Sequence, residues 1–144
     1  MSIRWKRDDL AEDLLKRMGL TWEEKAISLD SIDWGESLNN GARLEQPIIK
    51  ELVEDYALAM QNGDAFPKPV VHSFRGKLPV ILSGNQRSAA AKEVAPPDPI
   101  PVYFLTTDDK LKADLFLRMA NVGLGERINR DNRIKQAVYA VRSL

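Results

Sequence analysis

The chain of 144 residues contains no cysteine. Disulfides, thiolate metal sites and thiol nucleophiles are thereby excluded. It has a single histidine, His72, so a multi-histidine metal site is excluded and any Ser-His-Asp triad would have to be built on that one residue. No apolar run approaches the roughly 18 residues that a membrane-spanning helix needs. The opening stretch MSIRWKRDDLAEDLLKRMGL carries charge throughout and lacks the apolar core of a signal peptide. Excess charge of either sign is missing too, with 21 basic against 21 acidic residues. These absences lead to the expectation of a cytoplasmic protein with no membrane partner.

What is present is an ordinary globular balance, 44% apolar and 29% charged, in a length that suits one domain or one domain with an appendage. The neutral total hides an uneven spread. Residues 1–60 hold 8 basic against 13 acidic side chains, residues 61–109 hold 5 of each, and residues 110–144 hold 8 against 3. A basic end of this kind is compatible with nucleic-acid contact, with Arg127, Arg130, Arg133 and Lys135 as the side chains that would meet phosphates. Two solvated helical faces of opposite sign explain the same numbers.

Periodicity organises the rest. Leu10, Leu14, Leu15 and Met18 recur at helical spacing, with acids before them and Gly19 after, and predict a helix over 8–18. Thr21-Trp22-Glu23-Glu24 has the form of a capping box and predicts a short helical turn. Residues 26–30 alternate as a short strand, and 33–46 read as a loop. Pro47 opens a helix whose buried stripe is Ile48, Leu52, Val53, Tyr56 and Met60, ended by Asn62-Gly63. Residues 68–73 and 78–82 predict the two strands of a hairpin turned at Arg75-Gly76-Lys77. A helix follows over 86–93, a strand over 100–105, and a helix near 109–120 lined by Leu111, Leu115, Phe116 and Met119. Asp108 and Asp109 read as its caps rather than as a metal pair. A last helix begins near Asn129. The sum is an α+β domain: a small mixed sheet with flanking helices and a helical C-terminal segment.

One segment carries chemistry. In Leu82-Ser83-Gly84-Asn85-Gln86-Arg87-Ser88-Ala89-Ala90-Ala91 a strand ends at a glycine and a helix begins. Gly84 permits a positive φ or a close backbone approach. The N–H groups and dipole of a helix start favour an anion, and Arg87 in the first turn offers a fork of donors. His72 reads as a hairpin residue rather than a general base. Trp5, Trp22 and Trp34 read as packing or self-association anchors rather than base-stacking platforms.

The segment resembles the signature box of the ParB/sulfiredoxin-like fold, in which a strand runs into Gly-x-x-Arg-x-x-Ala. Arg43, the helix carrying Val53-Glu54-Asp55-Tyr56-Ala57, and Asn62-Gly63-Asp64-Ala65-Phe66-Pro67 are similar to the preceding half of that fold in ParB-like proteins of phages and actinobacteria. Asn121-Val122-Gly123, then Asn129 to Arg133, resemble its helical segment. The resemblance spans roughly 27–144, which implies an N-terminal helical extension over 1–26, a nucleotide-binding core over 27–108 and a helical segment over 109–144 leading towards a DNA-binding module. The chain stops at Leu144 before a recognition helix, which on this resemblance reads either as a fragment of a longer DNA-binding protein or as the loss of that module.

The resemblance implies a nucleoside triphosphate, CTP in ParB proteins and ATP in sulfiredoxin, with magnesium, and a homodimer that closes on DNA with slow hydrolysis. Gly84, Asn85, Gln86 and Arg87 would cradle phosphates, Arg43 would reach the nucleotide, and Asn121 would sit near the phosphates and the metal. Two departures stand out. Gln86 replaces an arginine-type residue of the box, and Ala120 replaces an acidic metal ligand that Glu126 would have to supply as a catalytic or metal residue. Sulfiredoxin chemistry is excluded, because its cysteine is Asn85 here. The leading expectation is a nucleotide switch in a partition or transcription-regulator protein. The alternatives are a nuclease or phosphotransferase on the same fold, and an interaction module that binds no nucleotide.

Overall fold

A computed structural model describes residues 2–34, 48–96 and 98–120 of the chain. Its order is β1 (Arg4–Lys6), α1 (Asp9–Arg17), β2 (Trp22–Ile27), a 3-10 turn (Leu29–Ser31), α2 (Lys50–Gln61), β3 (Ala65–Pro67), β4 (Val70–His72), β5 (Val80–Ser83), α3 (Asn85–Val94) and β6 (Ile100–Leu105). Residues 110–120 form a further helix, α4. The fold is α+β, as the periodicity predicts. Among the described residues no helix is long and apolar enough to cross a membrane.

Four strands make the main sheet in the order β2-β6-β4-β5. β2 runs antiparallel to β6, β6 parallel to β4, and β4 antiparallel to β5. The last pair is the expected hairpin. Arg75 and Gly76 at its turn both take left-handed φ, 48° and 76°, which suits the twist of a tight hairpin. β1 and β3 pair in parallel as a separate two-stranded sheet.

Side chains alternating across the main sheet feed two cores. On one face Val70, Leu82, Tyr103 and Leu105 meet Ala11 and Leu15 of α1 and Ala113, Phe116 and Leu117 of α4. On the other, Val71, Ile81 and Val102 meet Val53 and Met60 of α2 and Ala90 and Ala91 of α3. Leu15 and Phe116 have no exposed surface, and full burial of such side chains stabilises by roughly 1.5–3 kcal/mol each. The alanines of α3 let it lie close on the sheet, and it packs along α2.

Four sequence expectations change, the first being the strand over 26–30: β2 ends at Ile27 and Leu29–Ser31 form the 3-10 turn. Residues 21–24 do not form a helical turn: Trp22 to Ile27 pair residue by residue with Leu105 to Ile100. β6 is a strongly apolar strand, and the backbone hydrogen bonds it offers outweigh one local capping signature. The charges of Glu23, Glu24 and Lys25 then suit an edge strand that must not recruit another chain. Residues 1–26, expected as a helical extension, supply β1, α1 and most of β2, and place Ala11, Leu15 and Leu20 in the core. The stripe assigned to α4 is also rotated. Phe116 is buried with Ala113, Leu117 and Ala120, whereas Leu111, Leu115 and Met119 are exposed.

Candidate functional site

β5 ends at Ser83, and Gly84 caps α3 with φ 105° and ψ 29°, a left-handed conformation. A side chain there is disfavoured twice over. The φ is unfavourable for any residue with a Cβ, and a Cβ would lie 2.9 Å from both Arg87 Nη2 and the Pro69 Cβ. The strand–glycine–helix turn read from the sequence is therefore present, and the missing side chain makes room for a guanidinium.

Arg87 fills that room. Its Nε donates to the Pro67 carbonyl at 2.8 Å and Nη2 lies 3.4 Å from the Lys68 carbonyl. Nη2 also stands 3.6 Å from Asp8 Oδ2, with only 9% and 1% of the two side chains exposed. Cation and helix N-terminus are both positive in sign, and the Asp8 carboxylate offsets them. Asp8 has a second role: its Oδ1 accepts the Ala11 N–H at 3.1 Å and caps α1.

The Asp8 region continues as a buried chain of polar groups. The Asp8 N–H donates to the Tyr103 hydroxyl at 2.9 Å, and that hydroxyl donates to Glu12 Oε2 at 2.7 Å. Arg7 holds Glu12 through two bonds of 2.9 and 3.0 Å. The Arg7 and Tyr103 hydrogen bonds hold the Glu12 carboxyl below its ordinary range. Burial, reinforced by Glu12, pushes the Tyr103 phenol well above its ordinary value. Tyr103 thus stays a neutral donor at physiological pH, locked between α1 and β6.

The other residues of the box are buried as well. Gln86 Oε1 accepts the Ile49 N–H at 3.0 Å, at the N-cap of α2, which lacks a cap of its own. Gln86 therefore ties α3 to α2. Asn85 is 4% exposed. The hydroxyls of Ser83 and Ser88, on either side of the turn, are buried without a hydrogen-bond partner among the described residues.

His72 is buried, with Nε2 2.8 Å from the Thr107 carbonyl. It pairs across the hairpin with Val80, the first residue of β5, and so lies at the far end of that strand from Gly84. Trp22 packs edge-on against Tyr103 and Trp34 Nε1 donates to the Leu29 carbonyl; both serve packing. Asp109 caps α4 through Leu111 N–H. Arg43, Asn121, Glu126, Arg127, Arg130, Arg133 and Lys135 lie outside the described residues. Among the described residues no three His, Asp or Glu side chains gather as a metal site.

Sequence reasoning located the turn and missed Asp8, Glu12 and Tyr103. Asp8 reads locally as a helix cap and Tyr103 as a strand aromatic, and nothing local joins them. In comparisons with known proteins, no family model, no curated protein and no solved structure matches the chain.

Proposed function

We propose that the chain is a nucleotide-binding domain of the ParB/sulfiredoxin-like kind, in which a nucleoside triphosphate, CTP in preference to ATP, acts as a conformational switch for a DNA-binding partition or regulatory protein. The observation that carries this reading is the left-handed Gly84 at the start of α3 with the Arg87 guanidinium packed against it. The orphaned hydroxyls of Ser83 and Ser88 beside the same turn add polar groups in need of a partner.

In this mechanism Arg87 exchanges one anion for another. At rest it is held by Asp8 and by the Pro67 and Lys68 carbonyls. On binding, Arg87 turns from Asp8 to a phosphate oxygen, and the α3 N–H groups and Gly84 backbone complete the cradle. Asp8 also caps α1 and meets Tyr103 through its N–H, so its release loosens the join between α1 and the sheet. That is a route from phosphate to a change of shape. DNA contact through the C-terminal basic side chains and closure of a homodimer in the cytoplasm are the outputs proposed for it. The described residues supply no carboxylate cluster for magnesium, and no step is assigned to a metal.

A second reading, an interaction module that binds no nucleotide, is favoured by the full engagement of Arg87 with protein acceptors. The nuclease or phosphotransferase reading rests on His72 or Glu126: His72 is at the opposite end of β5 from the turn, and Glu126 lies outside the described residues. Titration calorimetry with CTP, ATP, GTP and UTP, with and without magnesium, decides between the first two. Saturable binding of one nucleotide supports the switch. Absence of heat for all four, from a folded protein, supports the interaction module.

A further inference from the structure

A second site lies at the hairpin end of the main sheet, away from Gly84. A cavity of about 240 Å³ opens there between β4, β5 and the first turns of α4. Its size is below that of a drug-sized pocket and suits a small metabolite. The apolar wall is made by Phe74, Val80 and Leu82. The polar lining has both signs: Lys77 and Lys110 against Asp33 and Asp114.

The disposition of these charges is informative. Lys110 and Asp114 are one turn apart on α4, a spacing that readily forms an ion pair. Yet neither they nor Lys77 form an ion pair within 4.0 Å among the described residues. The Lys110 ammonium instead sits 5.9 Å from the Phe74 ring centre. His72 also lines the cavity, and its Nε2 donates to the Thr107 carbonyl, which can only accept.

A cavity with an apolar wall and a lining that carries both ammonium and carboxylate groups matches a small molecule with an anionic group, a cationic group and an aliphatic body. We propose that this cavity binds a free α-amino acid with an apolar side chain. Its carboxylate meets Lys110 and Lys77, its ammonium meets Asp114, and its side chain lies on Val80, Leu82 and Phe74. The proposal stands apart from the nucleotide reading, because it uses none of the Gly84 turn.

The test is an NMR titration of the ¹⁵N-labelled full chain with L-leucine, L-valine and L-methionine. Two analogues that each lack one charge run beside them: 4-methylpentanoate and 3-methylbutylamine. The expected result is saturable shifts at His72, Phe74, Val80 and Leu82 with at least one amino acid. Each analogue of leucine should bind about tenfold more weakly or worse, as loss of one charge-assisted hydrogen bond implies. Asp114→Asn should weaken the amino acid and leave 4-methylpentanoate unchanged, and Lys110→Met should weaken the amino acid and leave 3-methylbutylamine unchanged. Lys110 is exposed, Asp114 is half-buried and neither belongs to the two cores, so both variants should fold. No saturable shift with any of the three amino acids overturns the proposal. So does an analogue that binds as tightly as leucine.

Discussion

Asp8 has two separable duties, and two substitutions at that one position should resolve them. Its carboxylate caps α1 and faces the buried Arg87 guanidinium. Asparagine caps a helix about as well as aspartate, so Asp8→Asn keeps the cap and removes only the charge. Removing one partner of a buried ion pair costs about 3–5 kcal/mol when nothing replaces it. Arg87 keeps the Pro67 and Lys68 carbonyls, which brings Asp8→Asn to or just below the bottom of that range, about 2–3 kcal/mol. Asp8→Ala also loses the cap, worth about 1 kcal/mol more. Urea unfolding of wild type and both variants reads these values directly, and the buried pair should respond little to salt. An Asp8→Asn variant within about 0.5 kcal/mol of wild type, the size of an ordinary surface change, would refute the claim that Asp8 compensates Arg87. The same variant bears on function. With the internal anion gone, Arg87 is left seeking another, so affinity for a phosphate-bearing ligand should rise even as stability falls.

Tyr103→Phe should cost about 2–4 kcal/mol in denaturant unfolding, because it strips a partner from both the Asp8 N–H and Glu12, each a buried group whose loss runs at about 1–3 kcal/mol. Gly84→Ala should cost about 1–2 kcal/mol for the left-handed backbone alone and more for displacing Arg87, lowering the thermal midpoint; an unchanged midpoint would show that the turn rearranges freely. The Glu12 carboxyl is held below its ordinary value of 4.5, so its contribution is complete above that pH and is lost as pH falls through the folded-state value. Acid unfolding curves of Glu12→Gln should therefore be flatter than wild type below about pH 4.5, and a parallel pair of curves would contradict the assignment.

Elements with strong local patterns were legible in the sequence. β6 over 100–105, the 70–83 hairpin, α1 and α3 all follow from periodicity and punctuation. The elements that were not legible are short or atypical. β1 and β3 have 3 residues each, too few to show alternation, and they exist because each satisfies the other's backbone. β2 carries charges in succession because it lies at a sheet edge. The outward face of α4 misled in another way: Leu111, Leu115 and Met119 look like a core stripe, but the smaller Ala113 and Ala120 beside Phe116 fit the sheet more closely. At the site, Gly84 and Arg87 were legible as a turn with a cation. The anion that answers the cation was not, since Asp8 and Arg87 lie far apart in the sequence and meet only in the fold. The Asp8 bond to Tyr103 spans 95 positions, and only the fold brings such residues together.

The central claim is that Arg87 beside Gly84 is a phosphate receptor held in reserve by Asp8. Calorimetric titration of wild type and Asp8→Asn with CTP, repeated with ATP, GTP and UTP, tests it most directly. The account predicts saturable binding of one nucleotide to the wild type, CTP first, and tighter binding to Asp8→Asn despite its lower stability. Two folded proteins that both give no binding with any of the four would contradict it and leave Arg87 as a structural cation alone.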